Sequence, residues 1–378
     1  MKIKNLLNLI LCLILLNCST NDNNSEPTEN IFNGDIIIKS QSEVIELGNN
    51  KYTKITGSLR IETDLSSSDI NDLSLFSNLT EVGGDFVLKN NSYIKNLNNF
   101  NNIETIGGNL ELIENGIKNL DGFIKLKKIG ADIILIQNAL ENLDGFKNLE
   151  IIGGGLLITQ PLISSLDAFS NVSSTIKGFV LLEMKNLQNL NGLPKIGLTT
   201  KSIKISQTRV QSLEPFSNLQ NIEGLLEIIN NDNLESLDGL HNINSTGKLS
   251  IRGNDALKNL DKINNLSILY GELDIFGNLN LENINGLSKI TSINGDPLST
   301  NGHFFGNINI EFNDKLTSIN GLENITSLSN GLTIENNMNL TDFCAISNLI
   351  KTREKPISIR GNAFNPNKQD FINNNCGL

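Results

Sequence analysis

From Gly57 onward the chain repeats a pattern about every 23 to 25 residues, and no other feature restricts the fold as much. A unit this short cannot bury a core by itself, so successive units must stack and share one. One repeat reads Gly107-Gly108-Asn109-Leu110-Glu111-Leu112-Ile113-Glu114-Asn115-Gly116-Ile117-Lys118-Asn119-Leu120-Asp121-Gly122-Phe123 and closes through Leu126 and Ile129. Strand starts are expected at Leu59, Phe86, Leu110, Ile133, Leu156, Val180, Ile203, Leu226, Leu249, Leu273, Ile308, Leu332 and Ile357, giving about thirteen coils.

Each repeat opens with strict alternation, as in Leu249-Ser250-Ile251-Arg252, which is the period of a half-buried strand. Its remainder spaces apolar residues three apart (Ile117, Leu120, Phe123, Leu126, Ile129), which suits short extended pieces turning round a narrow core. Stacking in register makes the sheet parallel, rising roughly 4.8 Å per coil to a rod roughly 60 Å long. The expected fold is therefore an all-β parallel β-helix or solenoid. Asn recurs five residues after the strand starts, at Asn91, Asn115, Asn138, Asn231, Asn254, Asn278, Asn313, Asn337 and Asn362, as a ladder that satisfies turning backbone. An Asx-Gly column, including Asp121-Gly122 and Asp144-Gly145, is expected to use positive φ at Gly and capping by the Asx side chain. Calcium along the Asp positions is the alternative reading, set against free substitution by Asn and no cluster of oxygen ligands within a coil.

The chain begins with Lys2 and Lys4, then an apolar run from Leu6 to Leu16 that is short for a membrane span and reads as a signal-peptide core. Leu15-Leu16-Asn17-Cys18 resembles a bacterial lipobox, with Cys18 as lipid acceptor. Asn17 departs from the small residue usual there, which leaves simple secretion as the alternative. The expected organisation is a lipoprotein signal peptide over 1–17, a polar tether over 18–33, an N-terminal cap over 34–56, repeats over 57–343 and a C-terminal cap over 344–378. Ser40-Gln41-Ser42-Glu43 has capping-box spacing ahead of a helical stretch from Val44 to Leu47. Cys344 and Cys376 bracket the other end, and an isolated pair in an exported chain is more often a disulfide than two thiols. Neither has a nearby His, so no metal site and no cofactor are expected.

Three stretches carry a family likeness: Ser42-Glu43-Val44 through Tyr52 to Ile61, the Leu-Asp-Gly-Phe turns, and Asp342-Phe343-Cys344 to Gly361-Asn362-Ala363-Phe364-Asn365-Pro366. Together they resemble receptor L-domain-like surface lipoproteins of the Bacteroidetes type, over nearly the whole mature chain. The resemblance implies a right-handed β-helix and names no ligand. A fold shared with receptors is weak warrant for receptor function.

A net charge of −11, scattered along the chain, argues against nucleic acid or an anionic membrane surface as partner; membrane attachment is expected through the N-terminal lipid only. With no Trp and three Tyr, the chain is poor in the rings that stack on sugars, although Phe can substitute. Outward strand positions are polar in later repeats (Lys204, Glu227, Ser250, Asp274, Asn309) but apolar earlier, at Val87, Ile113, Ile134, Ile136, Leu157 and Leu181. The Asn column lapses in the same region, at Pro161, Lys185 and Thr208. The strip is either a docking face for an unidentified protein or glycan at the cell surface, or for self-association, or it is β-formers tolerated on a sheet. An insertion, 294–305, places His303, Phe304 and Phe305 on a Gly-rich loop that either binds or fills a widened coil. No HExxH, GxSxG or phosphate-binding motif is present, and the two His lie several coils apart, so a binding protein is expected. A non-catalytic subunit of an envelope complex and a carbohydrate-acting β-helix enzyme are the alternatives.

Overall fold

The computed structural model describes residues 29–48, 50–64, 69–295 and 305–378. The expected signal peptide (1–17), the lipid acceptor Cys18, most of the tether, and His303 and Phe304 lie outside the described residues. Among the described residues no helix is long and apolar enough to cross a membrane.

The alternating segments pair side by side in parallel, and this all-β stack is compatible with a solenoid. A sheet of fifteen strands runs from Ile36–Ile38 to Ile357–Arg360, in chain order apart from one side strand at Thr199–Thr200. Equivalent residues face each other from repeat to repeat: Leu110 pairs with Ile133, Ile133 with Leu156, and Leu156 with Phe179. The inward residues of these strands form one buried core. A second sheet of six two-residue strands runs from Ile31–Phe32 to Ile151–Ile152. Between the two sheets the chain turns on glycine: a Cβ on Gly130 would lie 2.0 Å from the Gly107 carbonyl oxygen, too close for any side chain.

The first strands fall earlier than the sequence pattern suggests. Ile31 and Phe32, inside the segment read as tether, pair with Lys54 and Ile55, and Phe32 packs edge-on against Tyr52 at 5.4 Å. Ile36–Ile38 already belongs to the long sheet, so the segment read as a cap carries repeat strands as well as helix α1 (Gln41–Glu46). The helix begins after Ser40, whose Oγ accepts the Glu43 N–H, and its Val44 enters the core. At the far end, helix α2 (Ser347–Thr352) and helix α3 (Lys368–Ile372) flank the last strand, with a capping box between Asn367 and Asp370. Cys344 and Cys376 form a disulfide that ties the closing segment back to the start of α2.

Opposite the long sheet, three-residue 3₁₀ turns stack a column of phenylalanines. Phe123 lies 6.3 Å from Phe146, and Phe146 lies 5.6 Å from Phe169. The glycine of these turns serves close packing: a Cβ on Gly145 would stand 1.8 Å from the Leu120 carbonyl oxygen, and neither Gly122 nor Gly145 takes positive φ, though Gly239 does. Capping also differs from expectation. Asn119 Oδ1 accepts the Asp121 N–H and Asn142 Oδ1 accepts that of Asp144, so the cap comes from two residues before the Asx-Gly pair.

The asparagine ladder is present and buried. Asn254 Nδ2 donates to the carbonyls of Ile228 (2.9 Å) and Arg252 (3.0 Å), while its Oδ1 accepts the Asn231 N–H at 3.0 Å. The sharp turn itself falls on the residue just before, where Asn90, Glu114, Gln137, Gln207 and Asn230 take positive φ. The interruption is narrower than expected and sits on other residues. Gln160 and Met184, not Pro161 and Lys185, occupy the buried position, and Thr208 rejoins the ladder through Oγ1 to Asn231 Oδ1 at 2.7 Å. At these two positions Gln160 makes no side-chain hydrogen bond and Met184 has none to offer, so the ladder lapses in both coils.

Ladder and gap therefore respond differently to mutation. Asn254→Ala strands a buried carbonyl and a buried N–H and should cost about 2–4 kcal/mol. Met184→Leu preserves volume in an apolar site and should cost less than about 1.5 kcal/mol. Chemical denaturation of the two variants against the parent chain checks this ordering.

Candidate functional site

The outward face of the long sheet is a broad surface that the repeat holds rigid, and parallel register sorts its side chains into columns. The second strand position runs from Arg60 through Val87 and Glu111 to Ile134, Leu157 and Val180, then to Lys204, Glu227, Ser250 and Asp274. The fourth runs through Lys89, Ile113, Ile136, Thr159, Leu182 and Ser206. The columns bring Ile113, Ile134, Ile136, Leu157, Val180 and Leu182 together as an island, each residue partly exposed. Ion pairs border it. Arg60 meets Asp85 at 2.6 Å on one side and Lys204 meets Glu227 at 2.9 Å on the other.

Two residues expected in the strip are not available to a partner. Leu181 points inward, fully buried between Ile158 and Ile205. Its strand begins at Phe179 rather than Val180, and a shift of one residue exchanges the two faces of a strand. The spacing of 23 residues that links Ile133 to Leu156 leads on to Phe179, so the signal was in the sequence. Val87 does face outward but is 1% exposed, lying between its register neighbours Arg60 and Glu111. In their place the structure puts Val180 and Leu182.

A depression of about 250 Å³ opens within the island, floored by Ile134, Leu157 and Val180 and rimmed by Asp132, Lys177, Lys201 and Ser202. Two substitutions in the repeat create it. Just ahead of each strand stands a polar column in which Asp85 accepts the Asn109 N–H, Asn109 that of Asp132, and Asp132 that of Gly155 at 2.6 Å. At Gly155 and Gly178 this column has no side chain, and it resumes at Ser202, whose Oγ accepts the Leu225 N–H. One residue earlier the positions are Gly84, Gly108, Ala131 and Gly154, joined by successive backbone hydrogen bonds, until Lys177 and Lys201 take over; Gly224 restores the rule. Bulk is thus missing beside the floor and positive charge is added at its edge. Lys177 and Lys201 are exposed, and neither is in an ion pair among the described residues. The sequence reading passed over both lysines because it tracked the strands and not the residues before them.

Elsewhere the face carries several interacting charges. Lys248 bridges Glu227 and Glu272, Asp274 accepts from Ser250 at 2.8 Å and faces Arg252 at 3.6 Å, and Arg252 lies 4.7 Å over the Phe276 ring. The hydrogen bond from Ser358 holds Glu335 below the usual carboxylate range, with Arg360 adding to the effect. Burial pushes Glu311 up, and the nearby charges of Glu335 and Asp274 reinforce it. Among the described residues no three His, Cys, Asp or Glu side chains converge as a metal site. Of the insertion, Phe305 is 61% exposed, away from the island. No protein-family model matches the chain.

The raised Glu311 carries a sign. A carboxyl whose folded pKa lies above its unfolded value opposes folding once the pH exceeds the unfolded value, and has no effect where both states are protonated. Glu311→Gln should therefore raise stability at neutral pH by less than about 1 kcal/mol, with the gain gone near pH ~3.5. Thermal melts of both chains at the two pH values test it.

Proposed function

We propose that this chain is an exported, lipid-anchored cell-surface protein that binds a partner on the outer face of its long sheet and performs no catalysis. In this reading it is a receptor L-domain-like protein, a right-handed β-helix of about thirteen coils held off the outer membrane by a tether beginning at Cys18. The apolar island carries the reading. Six aliphatic side chains lie contiguous and part-exposed on a face that elsewhere carries mainly polar residues and ion pairs. Contiguous apolar surface rimmed by polar residues is typical of a contact region. A backbone fixed by parallel strand pairing presents such a region with little ordering cost at binding.

The double variant Ile134→Asp with Leu157→Asp puts two charges on the island. Cross-linking on intact cells followed by mass spectrometry should yield a partner with the parent chain, and its capture should fall about tenfold or more in the variant. Far-UV circular dichroism should be unchanged. Equal capture by a folded variant would remove the island from function.

A further inference from the structure

We propose that the depression at Gly155 and Gly178 accepts one apolar side chain of a protein partner, with an Asp or Glu of the same partner segment engaging Lys177 and Lys201. This rests on the binding reading above and specifies the partner's chemistry. The charge pattern is the first support. In a chain of net charge −11, two lysines with no ion pair among the described residues stand together where the coils on either side, at Gly108, Ala131, Gly154 and Gly224, place glycine or alanine. Stacking gives no use for them, since their backbone groups make the same hydrogen bonds as Gly154 and Gly224. Lys204 differs, because Glu227 already neutralises it.

Size is the second support. At about 250 Å³ the depression falls below the roughly 300–1,000 Å³ of pockets that enclose small ligands, yet it holds a Leu, Ile, Phe or Met side chain. The floor continues outward through Ile113, Ile136 and Leu182, which suits a polypeptide lying across several repeats. Asp132 on the opposite rim is the remaining charged group, and its Oδ1 is held by the Gly155 N–H. With lysines at one edge and a carboxylate at the other, a segment with its acidic residue on the lysine side has one favoured direction.

The test is a selection of displayed random peptides on the full chain, with affinities of the enriched peptides measured by fluorescence anisotropy. Enriched sequences should place Asp or Glu within about three residues of Leu, Ile, Phe or Met, and salt should weaken them. Lys177→Glu with Lys201→Glu, and separately Lys177→Ala with Lys201→Ala, should weaken them about tenfold or more. Lys258→Glu with Lys315→Glu, the same charge change on exposed lysines elsewhere, should leave them unchanged. Peptides that respond to Ile134→Asp with Leu157→Asp but not to the Lys177 and Lys201 variants would overturn the acidic assignment and leave the binding face standing. Peptides indifferent to every variant, or no enrichment, would overturn the site. Sedimentation of the full chain alone would overturn the proposed occupant if it showed self-association that Leu157→Asp abolishes.

Discussion

Every repeat must turn the backbone sharply beside an apolar core, and the buried asparagines are what make that turn tolerable. A turning chain cannot pair all its N–H and C=O groups with itself, and each one left buried and unpaired costs about 1–3 kcal/mol. Asn has the donors and the acceptor to serve its own coil and both neighbours, which is why Asn278, Asn313 and Asn337 repeat the same bonds at nearly the same lengths. Residues at positive φ immediately before the ladder strain the backbone, and the ladder's bonds hold them there.

Because the ladder and the stacked core hold every strand in register, a side chain on the outer face is placed by its position in the repeat. Each column then acts as a surface whose chemistry changes coil by coil. Over Lys204 to Arg360 the columns carry polar residues and several ion pairs, with Ile229 and Phe276 among them. Over Ile113 to Leu182 they stack aliphatic side chains, and nothing among the described residues covers them.

Much of this was legible from the repeat. Period gave the parallel sheet, alternation gave its two faces, and Asn91 through Asn362 marked the ladder, because each follows from geometry that recurs in every unit. Errors gathered where a repeat departs from its neighbours. The pattern places a strand start at Val180, which would turn Leu181 outward, but the strand begins at Phe179 and a one-residue shift exchanges the faces. The same pattern points to Pro161 and Lys185 as ladder positions, although Gln160 and Met184 hold them. Glycine in the Asx-Gly turn meets the expected conformational need at Gly192, Gly239 and Gly321, which take positive φ, whereas at Gly122 and Gly145 it is the neighbouring carbonyl that excludes a Cβ. A sequence pattern shows that glycine is required but not whether torsion or crowding requires it. The depression was invisible for a related reason: it arises from what Gly155 and Gly178 lack, beside two lysines outside the strands.

The departures between Gly155 and Ser202 also bear on one another. The ladder lapses at Gln160 and Met184, and both polar atoms of the fully buried Gln160 side chain, like Thr200 Oγ1, are without a hydrogen-bond partner. The polar column ahead of the strands loses its side chains in the same coils, and the glycine column gains its lysines there. The first two changes remove stacking interactions that the other coils keep, while the lysines leave the backbone hydrogen bonds of their column intact. A fold that needed only to stack would repair them, since Asn and Asp fit these columns in the repeats on either side. The aliphatic residues over the same coils do not offset the loss in the free protein, because they remain part-exposed. The coils that lose these interactions are also the ones whose outer face carries Leu157, Val180 and Leu182 part-exposed, so the irregularities of the repeat and its exposed aliphatic residues fall together.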